Sequence, residues 1–314
     1  EMLPFEYDKH KALNVQKKPF MNFDLVSFDA VYEPQIEESK RVYVYGFLAD
    51  EPKLDLIFVH GIGNRNISYL LWFAENFKKY GVNTYFVILP YHWFRAPGSW
   101  RGGEPFFSTS PKQCCTMFHQ SVKDVRRTLD YVEETSHLPK AIMGFSFGGM
   151  IATMALAIDE RFRKGILAFT GGDWRWINWY APHTEQLRED YMEKSNEYGC
   201  RDEATCVKNR SVALEKLEQL EKIEDIFQLE PACFHYDPLS YAKFVRQPVL
   251  FFKGLFDRVI ISKSSRALIE RLPDVHKVSL PCGHRSSYFF RCLILRRSLK
   301  FLLEDEKLDH RSLR

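Results

Sequence analysis

The hexapeptide Gly144-Phe145-Ser146-Phe147-Gly148-Gly149 constrains the fold of this chain more than any other feature. It stands between a short apolar run, residues 141–143, and a segment, residues 147–158, that is apolar almost all round. The run reads as a buried strand and the segment as a helix packed on a sheet. A chain that passes from strand to helix so abruptly crowds its neighbours at the positions two residues either side of the apex. Glycine, lacking a Cβ, tolerates that crowding. The apex residue, Ser146, is then strained with its hydroxyl exposed. The N-terminus of the following helix aims backbone N–H groups at the same place, where developing negative charge is favoured. This is the G-x-S-x-G pattern of a nucleophile elbow, and the strand–turn–helix context is what lifts it above a chance match.

The rest of the chain alternates short apolar runs with longer amphipathic ones, the mark of an α/β fold. Residues 41–48, 56–59 and 84–89 read as strands, the last ended by Pro90. Residues 68–80 read as a helix capped by Ser68 and stopped by Gly81. Phe118, Val122, Val125, Leu129 and Val132 recur at three- and four-residue steps, which predicts a helix over about 115–134. The continuous runs 165–169 and 249–252 suit central parallel strands. A helix over 262–272, a strand over 277–280 and an amphipathic helix over about 286–303 follow. Between Asp173 and about Lys243 no strand-like run occurs, and Leu214, Leu217, Leu220 and Ile223 mark one side of a helix. A structureless loop of that length is rare, so a helical insertion is expected. The expected division is a catalytic core of residues 1–172 and 245–314 and a helical cap of residues 173–244. The first 40 residues match no readable pattern.

A serine nucleophile needs a base and an orienting acid, and in this architecture they follow in the order Ser, Asp or Glu, His. Of the 10 histidines, His10, His60, His92, His119 and His137 precede Ser146, and His310 stands near the C-terminus. His183 and His235 fall in the expected cap, and His276 leads into a strand. His284 remains, in a glycine-containing loop after the last strand. Asp257, just after the run 249–252, is the expected acid, with Asp173 as its rival. An oxyanion hole would take the N–H of Phe147 and a second N–H from His60-Gly61-Ile62-Gly63-Asn64, with Ile62 the expected donor. By itself that loop is only a glycine turn after a strand.

With these pieces in order, the chain resembles the α/β-hydrolase superfamily: HGIG at 60–63, GFSFGG at 144–149, GLFDRV at 254–259 and CGHR at 282–285. The resemblance implies an eight-stranded, mostly parallel sheet flanked by helices, and a lid in the position of the insertion. It also implies a Ser146–Asp257–His284 triad, no metal or other cofactor, and hydrolysis of esters or related acyl bonds. Carboxylic ester hydrolysis is the expected reaction. Peptide, thioester or carbon–carbon cleavage on the same triad, or ligand binding without catalysis, are its rivals.

Loops leaving the carboxyl ends of parallel strands border such a site. Trp93, Trp174 and Trp176 are therefore candidates for a pocket wall, or for the glue between cap and core. Arg95, with Arg101, Arg175, Arg258 and Arg285, is a candidate for receiving an anionic group, against the plainer reading as a surface or paired cation. Lys and Arg number 44 against 41 Asp and Glu, a net charge of +3, which argues against a nucleic-acid surface. No run reaches the roughly 20 apolar residues of a membrane span. The expected partner is a small-molecule ester, and a homo-oligomer remains compatible with the sequence. The first 20 residues lack a signal-peptide pattern, which suggests a cytoplasmic location, although the chain opens with Glu and leaves a removed leader open. Seven cysteines, an odd number at low density, read as free thiols, with Cys200 and Cys206 close enough to pair in an exported protein.

Overall fold

The continuous apolar runs form the middle of a sheet. The structure is a computed structural model that describes residues 2–63, 67–194 and 200–304. Asn64 and His310, named above, lie outside the described residues. In chain order the strands are β1 (Gln16–Phe20), β2 (Phe23–Asp29), β3 (Arg41–Phe47), β4 (Leu54–Val59), β5 (Val82–Ile88), β6 (Lys140–Phe145), β7 (Phe162–Ala168), β8 (Val249–Gly254) and β9 (Val275–Leu280). The helices are α1 (Ser68–Lys78), α2 (Pro111–Thr135), α3 (Phe147–Ile158), α4 (Trp174–Tyr180), α5 (Glu185–Glu193), α6 (Glu203–Leu217), α7 (Ser262–Ile269) and α8 (Arg291–Leu303), with short 3₁₀ turns between them.

The sheet order is β1-β2-β3-β5-β4-β6-β7-β8-β9. The strands from β4 onward pair in parallel, and β1, β2 and β3 form an antiparallel flank. The chain runs outward from β4 to β5, then crosses back through α2 to β6, so β4 and β6 are neighbours whose connections leave in opposite directions. At such a switch point the carboxyl ends of the strands open into a crevice. Every position of β4, β5 and β6 is buried, as expected of strands covered on both faces. One face carries α2 and α3, the other α1 and α8.

Nine strands are present among the described residues, where the resemblance implied eight. β1 and β2 come from the N-terminal stretch that carried no readable pattern. All five residues of β1 are exposed, so it lacks the alternation that marks a half-buried strand. Its register is set by a hairpin that pairs Phe20 with Phe23 around Met21, whose φ is 53°. The helix before β5 is entered from Ile67 rather than capped by Ser68, and it does stop at Gly81, whose φ is +80°.

Between β7 and β8 the described residues hold helices and turns but no strand. α6 ends at Leu217, so Leu220 and Ile223 do not continue its stripe. The cause is local: the Lys243 ammonium donates to the carbonyls of Leu217, Glu218 and Leu220 at 3.3, 2.8 and 2.7 Å. A cation that satisfies the last carbonyls ends the helix there. The buried Arg210 of α6 ties the start of this segment to its later part. It donates to Asp173 at 3.0 Å and Asp237 at 2.8 Å and lies over the Phe234 ring. Cys200 and Cys206, like the other five cysteines, are free thiols.

A second buried pair locks the loop after β5. Arg95 and Asp124 are both fully buried and 2.6 Å apart. Arg95 also donates to the carbonyls of Ile88 and Ser39, and Tyr32 donates to Asp124. Removing one partner of such a pair strands an uncompensated charge. Arg95→Ala should therefore lower the free energy of unfolding by about 3–5 kcal/mol, measured by urea denaturation. A loss below about 1 kcal/mol would show that Asp124 is neutralised or rehydrated without its partner.

Candidate active site

Ser146 stands at the apex between β6 and α3 with φ 56° and ψ −120°. The turn is enforced by close backbone packing. A Cβ on Gly144 would lie 2.2 Å from the carbonyl oxygen of Gly148, and one on Gly148 would lie 2.2 Å from that of Val59. A side chain at either position is excluded. The Ser146 N–H donates to the Ala168 carbonyl at 2.8 Å, which ties the apex to the end of β7.

Two neighbouring loops bring their side chains to this hydroxyl. The loop after β9 carries His284, whose Nε2 lies 2.8 Å from Ser146 Oγ. The loop after β8 carries Asp257, whose Oδ2 lies 2.8 Å from His284 Nδ1. The other carboxylate oxygen of Asp257 accepts the N–H groups of Val259 and Ile260 at 2.8 and 2.9 Å. These bonds leave the Asp257 carboxylate one free direction, toward the imidazole. The arrangement therefore favours the tautomer with the proton on Nδ1 and the lone pair of Nε2 facing the serine. The rival acid Asp173 is held by Arg210 instead.

The hydroxyl opens into a cavity of about 760 Å³. Ile62, Phe147 and Trp174 line it with Ser146 and His284, and Asp257 stands behind the imidazole. Trp93, Trp176 and Arg95 do not border it. Trp93 packs beside the His60 ring. Trp176 lies under Arg175 and Lys263 on the outer side of α4. Arg95 is in the buried pair described above. All three follow the right strands, but a loop that turns back into the core carries its side chains away from the crevice. Of the other arginines, Arg175 pairs with Glu203 and Arg258 is exposed outside the cavity, whereas Arg101 and Arg285 line it.

Several lining residues escaped the reading of the sequence. Phe106, Phe107 and Phe118 form an aromatic wall, and His183 and Leu187 come from the helical segment between β7 and β8. His183 borders the cavity, and desolvation together with the neighbouring His284 and Arg188 lowers its pKa from the usual value. Phe118 was legible as a helix position but not as a wall, because periodicity reports burial and not what is buried against.

Two buried histidines build the loop that carries Ile62. His60 Nε2 accepts the Leu89 N–H at 3.0 Å while Nδ1 contacts the Gly61 carbonyl at 2.7 Å. His92 Nδ1 contacts the Pro90 carbonyl at 2.8 Å, and its Nε2 receives the Gly63 N–H at 3.4 Å. Each imidazole thus bridges one donor and one acceptor, which only the neutral ring can do. Burial holds the His60 pKa well below its usual value and lowers that of His92 to about 4.

The sequence profile of the alpha/beta hydrolase family matches residues 56–291. The chain belongs to the alpha/beta hydrolase family. No curated protein sequence matches it. Among solved structures, acetyl xylan esterase 1 from Thermoanaerobacterium sp. JW/SL YS485 superimposes with a TM-score of 0.67 at 15% identity, covering 96% of this chain and 92% of the esterase. An acetyl xylan esterase from Paenibacillus sp. R4 gives 0.68 at 15% identity, covering 93% and 90%. An acylaminoacyl peptidase from Pyrococcus horikoshii gives 0.60 at 14% identity, covering 92% of this chain and 44% of the peptidase. At these identities the likeness is one of fold. Membership of the alpha/beta hydrolase family supports hydrolase activity.

The buried imidazoles make the hydrolase sensitive to acid. His119, on α2 against the segment before β8, is also buried, which lowers its pKa to about 4. The unfolded chain protonates His92 and His119 near pH 6.5, the native state only near 4, so unfolding takes up protons in that window and stability falls as pH drops through it. Each ring contributes a slope of about 1.4 kcal/mol per pH unit. His92→Gln should flatten the fall in unfolding free energy between pH 6.5 and 4 by about that amount, as read by urea denaturation at several pH values. An unchanged slope in the variant would contradict the assignment.

Proposed function

We propose that this hydrolase cleaves a carboxylic ester through an acyl-enzyme formed on Ser146. The observation that carries the reading is the unbroken relay from Ser146 Oγ to His284 Nε2 and from His284 Nδ1 to Asp257, with 2.8 Å at each step. Ser146 Oγ attacks the ester carbonyl while His284 takes its proton. Asp257 keeps the imidazole oriented and stabilises the imidazolium that forms. His284 then returns the proton to the departing alcohol. Water, deprotonated by the same imidazole, releases the acid and restores the serine.

The N–H groups of Ile62 and Phe147 hold the oxyanion in this mechanism. Both residues line the cavity beside Ser146, and Phe147 begins α3, where the first N–H groups have no intrahelical partner. The neutral His60 and His92 are positioning residues for the Ile62 loop. Residues 173–244 act as a cap: Trp174, Ile177 and Leu187 give the cavity one wall. Trp174 bounds the space for the acyl group, and its indole sits against Phe118 with ring centroids 5.2 Å apart.

Ser146→Ala removes the nucleophile without touching the packed glycines. Its kcat/KM for p-nitrophenyl butyrate should fall by about 10,000-fold, with an unchanged urea midpoint. Esterase rates near those of the unsubstituted chain would refute the mechanism.

A further inference from the structure

The cavity is graded from an apolar interior to a cationic mouth. Phe118, Phe147, Met150 and Trp174 line it and are buried, whereas Arg101 and Arg285 line it and are exposed. Among the described residues, no Asp or Glu lines it.

Unlike the arginines that are held in ion pairs, these two guanidinium groups are open to an incoming anion. Arg95, Arg126, Arg161, Arg175 and Arg210 each face a carboxylate within 3.0 Å. Arg101 and Arg285 have no carboxylate partner among the described residues. The acid nearest Arg101 in the chain, Glu104, is occupied by backbone: it accepts the N–H groups of Arg101 and Gly102. Around Arg285, residues 281–303 contain no Asp or Glu at all. Two cations without a carboxylate partner, at the opening of a cavity whose described lining holds no acid, raise the local concentration of an anion and favour its binding.

From this gradient, and resting on the ester-hydrolase reading above, we propose that the substrate is amphiphilic: an apolar acyl group joined to an alcohol that bears a carboxylate or phosphate. The acyl group must stay on Ser146 until water releases it, so it occupies the buried interior. An anion there would be desolvated among the side chains of Phe118, Phe147, Met150 and Trp174. The alcohol leaves by the mouth, and the charge it carries meets Arg101 and Arg285 on the way. The chemistry is unaltered: the acyl C–O bond is cleaved, and water supplies hydroxyl to the acid and a proton to the alcohol.

The test uses three butyrate esters that differ only on the departing phenol: 4-(butyryloxy)benzoate, 4-(butyryloxy)phenyl phosphate and the neutral methyl 4-(butyryloxy)benzoate. The readout is the ratio of kcat/KM for each anionic ester to that for the neutral one, which cancels any general damage to the site. In the Arg101→Gln/Arg285→Gln double variant at low salt each ratio should fall by about fivefold or more. About 0.5 M NaCl should lower it in the unsubstituted enzyme as well. A fall for only one anion identifies the headgroup; unchanged ratios for both overturn the proposal. A separate measurement is independent of turnover: calorimetric titration of Ser146→Ala protein with octylphosphonate. Binding weakened about fivefold or more by the two arginine substitutions supports the anion site even if no ester is hydrolysed, in which case only the hydrolase reading fails. Equal binding with and without the arginines overturns the anion site whatever the ester rates.

Discussion

The approach of Gly148 to the Val59 carbonyl is the contact on which the site depends. A Cβ there would lie 2.2 Å from that oxygen, so α3 starts as close to the end of β4 as a backbone can. This places Ser146 at the switch point, between the ends of β4 and β6. Parallel pairing then sets β7, β8 and β9 at fixed spacing outward from β6. The loops after β8 and β9 emerge on the same edge as the serine, and Asp257 and His284 reach it from there. One backbone contact and a regular sheet thus define the geometry of three side chains far apart in the chain.

The surroundings of the site are held by polar groups buried at a cost. Arg95 with Asp124, and Arg210 with Asp173 and Asp237, anchor two segments that flank the crevice. Hydrophobic replacements of similar shape are often as stable as such pairs, so their effect here is best read as specificity of position. The neutral His60 and His92 act in the same way on a smaller scale. Each satisfies one donor and one acceptor and so fixes the course of residues 60–63. The consequence is a structure that loses stability as the pH falls into the acidic range.

Much of this was legible in the sequence because it follows from short-range constraints. Gly144 and Gly148 announce a tight turn, and continuous apolar runs announce strands covered on both faces. The order of Ser146, Asp257 and His284 follows from the order of the loops. What stayed illegible depends on where side chains point within a loop. Trp93, Arg95 and Trp176 follow the expected strands yet turn away from the cavity, while His183 and Phe107 turn into it. β1 left no trace because an exposed edge strand has no face to bury. The end of α6 was hidden as well, since it is set by Lys243, more than 20 residues further along the chain.

In the proposed mechanism Ser146, alone among the serines, is a nucleophile activated by His284. Incubation with a fluorophosphonate followed by intact mass and peptide mapping tests it directly. One adduct is expected, on Ser146, and its formation should be abolished in His284→Ala. No adduct, or an adduct on another residue, would contradict it.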